Sequence, residues 1–264
     1  MVPPPLDVAV LRSELVESGL WREVRVVDVT GSTNADVAVL ARLDESPGLV
    51  LIAEHQAAGR GRLDRVWVAP PRSGLSFSVL LRPAGVAISA WSLLPLLVGV
   101  SVASAVSSSA GVEVRLKWPN DLLIGERKLG GILAERVEAP SGAAVVVGVG
   151  LNIGLQETEL PVPTATSLVL ADASSVDRTA ILSAILRRLA DEYALWRAAA
   201  GDGVRLLGLY RELCVTLGRD VRVELAGAQM IEGRAVDVEP DGSLIVESLH
   251  IRRSVSAGDV VHVR

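Results

Sequence analysis

A chain of 264 residues, half of them apolar and 22% charged, is long enough for one large globular domain with a small appendix and too apolar to be disordered. Its net charge of −5, with a pI near 5.3, keeps the chain as a whole off polyanions, so any anion binding must come from local arginine clusters. The one cysteine, Cys214 in ELCVTL, excludes an intrachain disulfide and a cysteine-based zinc site, fits a reducing compartment, and reads as a small buried hydrophobe.

The opening MVPPPLD has neither a basic segment nor an apolar core, so no signal peptide is expected and the chain reads as cytoplasmic. Residues 7–18 place Val8, Leu11 and Leu15 on one helical face, with Gly19 as the stop. VRVVDV alternates as a strand and runs into TGSTNADVAVLARL, a hydroxyl- and amide-rich turn that opens a second amphipathic helix. GLVLIAEHQ is a buried strand ending on polar residues. The loop GRGRLDRVW follows it, and SGLSFSVLLRP is a strand closed by Pro83. No charge occurs between Arg82 and Glu113, and VAISAWSLLPLLVGVSVASAV is long enough to span a membrane. Ser89, Ser92, Ser101, Ser104 and Pro95 argue against a span, as does the need for the flanking motifs to meet; a buried core helix is expected.

VRLKWPNDLLIGERKLGGILAERVE reads as three strands, with turns at Pro119-Asn120-Asp121 and Gly125-Glu126. AAVVVGVGLNIG is a further apolar strand closing on glycines. In DRTAILSAILRRLADEYALWRAA, Ile181, Ile185, Leu189, Tyr193 and Trp196 recur at helical spacing. From about Leu217, short period-two strands between glycine-bearing turns suit a small SH3-like β-barrel. The expected organisation is a mixed α/β domain over 1–216 and a small all-β domain over 217–264.

Four clusters carry chemistry. In the arginine loop, glycines let backbone N–H groups turn toward an anion while guanidinium forks close over it, and Trp67 offers a flat face to a base. Alone, the loop reads first as a surface turn with a buried Trp. In KWPND, Lys117 and Lys128 are expected on hairpin-paired strands beside Asn120 and Asp121, which suits a polyphosphate and its metal ion; solvated lysines at an Asn-Asp turn are the alternative. The Gly130-Gly131 pair in an apolar strand points to close backbone approach. Ser32-Thr33-Asn34 opens a helix, and capping alone accounts for one hydroxyl; three neutral polar groups could equally read an amide-like ligand. GVGLN, ending on Asn152, matches neither a Walker loop nor a dinucleotide fingerprint, and His55, His250 and His262 are too scattered to read as a metal site.

Taken in order, STN, EHQAAGRGRLDRVW, KWPNDLL, KLGGIL and GVGLN resemble the biotin–protein ligase family over about Gly31 to Gly154. The resemblance implies an α+β fold, a mixed sheet flanked by helices like the class II aminoacyl-tRNA synthetases, with the SH3-like barrel appended. It implies that biotin and MgATP give biotinyl-5′-AMP and pyrophosphate, and that a lysine of a biotin carboxyl carrier domain then takes the biotin. No tightly bound prosthetic group is implied. On the matching positions, Ser32, Thr33 and Gln56 would hydrogen-bond the ureido ring, with Asn34 nearby. Gly59, Arg60, Gly61 and Arg62 would hold the biotin tail and α-phosphate, beside Gly130 and Gly131. Arg65 would meet phosphates, Trp67 would pack on adenine, Asn152 would face it, and Lys128 would bridge carboxyl and phosphate. Lys117, Asn120 and Asp121 would serve nucleotide, metal and acceptor lysine, with Asp121 the metal candidate and Arg62, Lys117, Asp121 and Lys128 the catalytic set.

A lipoate ligase would be expected to lack the arginine loop paired with KWPND, and the acidic pI disfavours a nucleic-acid module. Residues 59–67 are expected to be mobile without ligand and ordered over the adenylate. Asp64 stands where the family usually has glycine; it tolerates a left-handed backbone, but its charge between Arg62 and Arg65 is expected to weaken ATP binding. Ala57 replaces a common threonine, a minor loss. About 30 residues precede STN, too few for the helix-turn-helix of longer members, so no sequence-specific DNA binding is expected. No membrane partner is expected either, and the oligomeric state is expected to be monomer or weak homodimer.

Overall fold

The computed structural model describes residues 3–16, 19–225 and 229–263. Its centre is a seven-stranded mixed sheet in the order β1 (Glu23–Thr30), β2 (Leu49–Gln56), β5 (Gly74–Leu81), β9 (Ala144–Asn152), β8 (Arg127–Val137), β7 (Asp121–Ile124), β6 (Arg115–Lys117). β1 and β2 are parallel, which requires the crossover helix α2 (Thr33–Arg42) between them; the other neighbours are antiparallel.

Strands β2 and β9 are apolar nearly throughout because both sheet faces are covered. On one face α2 sets Val37, Ala38 and Ala41 against Leu49, Leu51, Leu80 and Val146. On the other, α1 (Val8–Leu15), α3 (Leu94–Ala110), α4 (Arg178–Ala198) and α5 (Val204–Leu213) share a larger core with Val147, Val149 and Leu151. The period of two in β9 therefore turns Gly148, Gly150 and Asn152 toward the α2 side. That side carries the cavity described below.

The uncharged segment is a 3-10 turn (Ile88–Leu93) running into α3, together long and apolar enough to cross a membrane. Here α3 is buried from Leu96 to Ala103 between the sheet and α4. Two of its serines bond back to the preceding turn, Ser101 Oγ to Leu97 O and Ser109 Oγ to Ala105 O, each at 2.8 Å, and left-handed Gly111 (φ 67) ends it. In α1, Leu11 and Leu15 are buried as its spacing predicts; residues 17 and 18 of that predicted helix lie outside the described residues. Helix α5 is not among the predicted elements. It buries only Leu206, Leu207 and Tyr210 within ten residues, too short a window for a 3.6-residue period to stand out.

The C-terminal strands β10 (Asp220–Glu224), β11 (Met230–Val238), β12 (Leu244–Ser248), β13 (Ile251–Val255) and β14 (Asp259–His262) form one antiparallel sheet in the order β13-β12-β11-β10-β14. These strands make the expected small SH3-like unit, with no β13–β14 pairing to close it fully among the described residues. Its apolar face joins the main core through Val221, Val223, Leu244 and Val260, and Trp118 Nε1 donates to Gly242 O at 3.0 Å.

Beneath β2, Arg178 at the start of α4 meets Glu54 at 2.6 Å, both side chains at most 5% exposed. Glu54 also accepts from Leu6 N–H (2.7 Å), and Arg178 donates to Pro4 O (2.6 Å), so the pair straps the N-terminal segment across the sheet.

Candidate active site

The first turn of α2 supplies the neutral end of the site. Ser32 holds the N-cap position with extended backbone (φ −157, ψ 125), but its hydroxyl makes no capping hydrogen bond. Capping therefore does not account for it; the side chain is buried and lines the cavity. Thr33 N–H donates to Gln56 Oε1 (2.8 Å), and Ser78 Oγ on β5 lies 2.7 Å from both Thr33 Oγ1 and Asn34 Oδ1. Asn34 Nδ2 donates to Leu133 O (3.1 Å) and Glu135 Oε2 (2.8 Å), and Arg60 approaches Glu135 at 3.7 Å. This net lies flat on β9 only because position 148 is glycine: a Cβ there would collide with Asn34 Oδ1.

The arginine loop is a small hairpin, β3 (Gly59–Arg60) paired with β4 (Val66–Trp67) around a 3-10 turn at Arg62–Asp64. Its left-handed residue is Leu63 (φ 53, ψ 44), exposed to solvent, rather than Asp64, whose side chain lies outside the described ones. Arg62 donates to Asn120 Oδ1 (3.0 Å) and to Gly258 O (3.3 Å). Arg65 pairs with Asp259, and Arg62 comes within 3.9 Å of the same carboxylate. The C-terminal sheet thus reaches into the site and places an anion between the two arginines. Burial pulls the Arg62 pKa below its ordinary value, with Asp121 opposing. The Trp67 indole rests on Gly150, where a Cβ would stand 2.5 Å from Cε2.

Lys117 on β6 and Lys128 on β8 do not sit on paired strands, because β7 runs between them; the expected hairpin is a three-strand meander. The meander still turns both lysines into the cavity, with Lys128 Nζ 2.5 Å from Asp121 Oδ1. Burial lowers the Lys117 pKa; Lys128 and Arg65 push the same way, and Asp121 opposes. Asn120 Nδ2 donates to Ile132 O at 3.0 Å. Asn152 is buried, donates from Nδ2 to Thr166 O (2.9 Å), and leaves Oδ1 without a partner.

One cavity of about 510 Å³ collects Ser32, Thr33, Asn34, Gln56, Arg60, Gly61, Arg62, Arg65, Trp67, Lys117, Asn120, Asp121, Lys128, Gly131 and Asn152. Gly59 and Gly130 are not on its wall. A Cβ on Gly59 would strike Trp67 O and one on Gly130 would strike Gly150 O, so both serve close strand pairing. Sequence reasoning missed Ser78, Glu135, Glu224 and Asp259. A serine at full burial within SGLSFSVLL and an acid within GGILAERVE were readable signals for the first two. The last two arrive on the C-terminal sheet, whose docking no local pattern reports.

His262 stands behind the cavity wall, its Nε2 3.3 Å from Thr216 Oγ1 and Nδ1 3.2 Å from Arg219 Nη1. Burial, then Lys117 and Arg219, push its pKa down to about 4. Between that value and the ordinary 6.5 the unfolded chain binds more protons, so this contribution to stability is lost as pH falls through the interval. His262→Gln is expected to show a smaller loss of stability than the parent between neutral and mildly acidic pH, read by urea unfolding at each pH.

Residues 26–152 match the biotin/lipoate A/B protein ligase family, and residues 216–263 match the biotin protein ligase C-terminal domain. Fold and cavity thus define a ligase of that class. Biotin–[acetyl-CoA-carboxylase] ligase of Mycobacterium tuberculosis is 44% identical across 99% of this chain and 97% of its own length. The enzyme of the same description from Paracoccus denitrificans is 35% identical across 88% and 97%. Biotin protein ligase from Aquifex aeolicus, solved in complex with biotin and ATP, superposes with a TM-score of 0.75 and 25% identity, covering 92% of this chain and 100% of that one. The chain belongs to the biotin protein ligase family.

Proposed function

We propose that the protein is an ATP-dependent biotin–protein ligase that forms biotinyl-5′-AMP and passes biotin to a lysine of a biotin carboxyl carrier domain. What carries the reading is that one cavity joins a neutral hydrogen-bonding end to a cationic end bearing Trp67 and a buried acceptor without a partner. Ser32, Thr33 and Gln56 read the ureido ring. Asn34 spends both amide hydrogens on the protein, so it braces that end rather than reading the ligand. Arg60, Gly61 and Gly131 flank the biotin tail. Trp67 takes the adenine face, and Asn152 Oδ1 is an acceptor suited to its amino group.

No protein nucleophile is needed. The biotin carboxylate oxygen attacks the α-phosphorus and pyrophosphate leaves with the electron pair of the broken P–O bond. Arg62, Arg65, Lys117 and Lys128 align two anions and stabilise charge spreading on the phosphate, and Asn120 holds Arg62 until the phosphate is bound.

Among the described residues no group of three acidic, histidine or cysteine side chains is placed to hold a metal. Asp121 is a single carboxylate engaged by Lys128, which fits Mg²⁺ carried on substrate phosphates with Asp121 as its protein ligand. The ion would supply charge neutralisation on those phosphates. Residues 1–216 form the catalytic domain in this reading and 217–264 the second domain.

The test is purified protein with biotin, MgATP and an isolated carrier domain. Pyrophosphate release and a biotinylated carrier lysine are expected, and absence of both rejects the reading. Gly148→Ala, whose Cβ invades the Asn34 net, is expected to cost about 1–3 kcal/mol of stability and to weaken biotin binding about tenfold by calorimetry.

A further inference from the structure

A second cavity, of about 470 Å³, adjoins the first beyond the arginine loop. Eight residues line both, among them Arg62 and Asn120, which are hydrogen-bonded at 3.0 Å where the two cavities adjoin. The rest of the wall comes from Leu63, from Ser92, Pro95 and Leu96 at the start of α3, from β8 near Glu135, and from two turns of the C-terminal sheet, at Asp241 and at Ser256-Ala257. Asp241, Ser256 and Ala257 are exposed.

The two cavities differ in charge. The first carries five cations (Arg60, Arg62, Arg65, Lys117, Lys128) against three carboxylates (Asp121, Glu224, Asp259). In the second, Arg60 and Arg62 are balanced by Glu135 and Asp241. A lysine ammonium entering through the first mouth would meet excess like charge, and after adenylate formation it would meet the nucleotide itself. The second approach is electrically neutral and has an exposed carboxylate at its rim.

We propose, resting on the reading that the first step yields biotinyl-adenylate, that the second cavity is the entrance for the acceptor lysine. The lysine-bearing turn of the carrier domain docks on the rim at Asp241 and Ala257. Where the cavities adjoin, Arg62 is held by Asn120 and by Gly258 O. The adenylate phosphate offers that guanidinium a stronger, charged partner, so the Arg62–Asn120 contact is released and the junction widens once an acyl group is ready. The amine then reaches the acyl carbon from the side away from the phosphate. The ammonium first gives a proton to water. A C–N bond forms as the acyl C–O bond to phosphate breaks, AMP leaves with the electron pair, and the second nitrogen proton passes to solvent.

The experiment separates the two half-reactions in Asp241→Lys and Ala257→Trp, using hydroxylamine as a small nucleophile and an isolated carrier domain as the large one. Both variants are expected to form biotinyl-adenylate and to yield biotin hydroxamate at the parent rate. With the carrier, Asp241→Lys raises KM about tenfold and Ala257→Trp slows transfer by about the same factor. Parent-like carrier kinetics in both variants overturn the proposal. A parent protein that makes no adenylate from biotin and ATP overturns the functional reading instead.

Discussion

Lys128→Ala is expected to slow biotinyl-adenylate formation by about two to three orders of magnitude while biotin affinity changes less than about tenfold. Lys128 stands where the two ends of the cavity meet, its Nζ held 2.5 Å from Asp121 and its neighbour Gly131 leaving the wall open beside it. A cation so placed matters most when charge spreads over the α-phosphate. Its loss should therefore appear in the rate of the first step rather than in binding. Pyrophosphate release in a single turnover, set beside biotin calorimetry, reads the two separately. An unchanged single-turnover rate rejects the assigned role. Asp121→Asn offers the complementary measurement, since it frees Lys128 without removing its charge and is expected to cost less than Lys128→Ala.

Much of this fold and of the candidate site is legible in the sequence. Continuous apolar runs such as LVLIA and AVVVGVGL report strands whose faces are both covered, and the helical recurrence of Ile181, Ile185, Leu189, Tyr193 and Trp196 reports one buried stripe of α4. Such periods say which face is buried and not what buries it. That is why the Lys117–Lys128 hairpin resolves into a meander. It is also why Asp259 was not anticipated opposite Arg65: the ion pair spans 194 positions. The glycines divide along the same line. Gly148 and Gly150 are explained only by the Asn34 and Trp67 side chains brought onto them from other elements. The left-handed turn residue, Leu63 rather than Asp64, reflects strain imposed by the hairpin, which local preference would have assigned to the aspartate.

Arg178→Met is expected to destabilise the protein by about 3–5 kcal/mol, because it strands the Glu54 carboxylate where its side chain is 4% exposed. Removing both charges should be far milder. In Glu54→Leu/Arg178→Met the desolvation cost of two ions disappears together with their attraction, and the double variant is expected to recover most of the loss. Recovery should be incomplete for a specific reason: Leu6 N–H and Pro4 O lose their partners Glu54 and Arg178 and must turn to water. The pair is therefore read as a fastener that fixes where the N-terminal segment crosses the sheet. Urea unfolding of the two single variants and the double variant closes the cycle. Hydrogen exchange at Leu6 should rise in all three, including the double variant that regains global stability. Undiminished protection at Leu6 in the double variant contradicts the fastening role even if the energies follow the expected order.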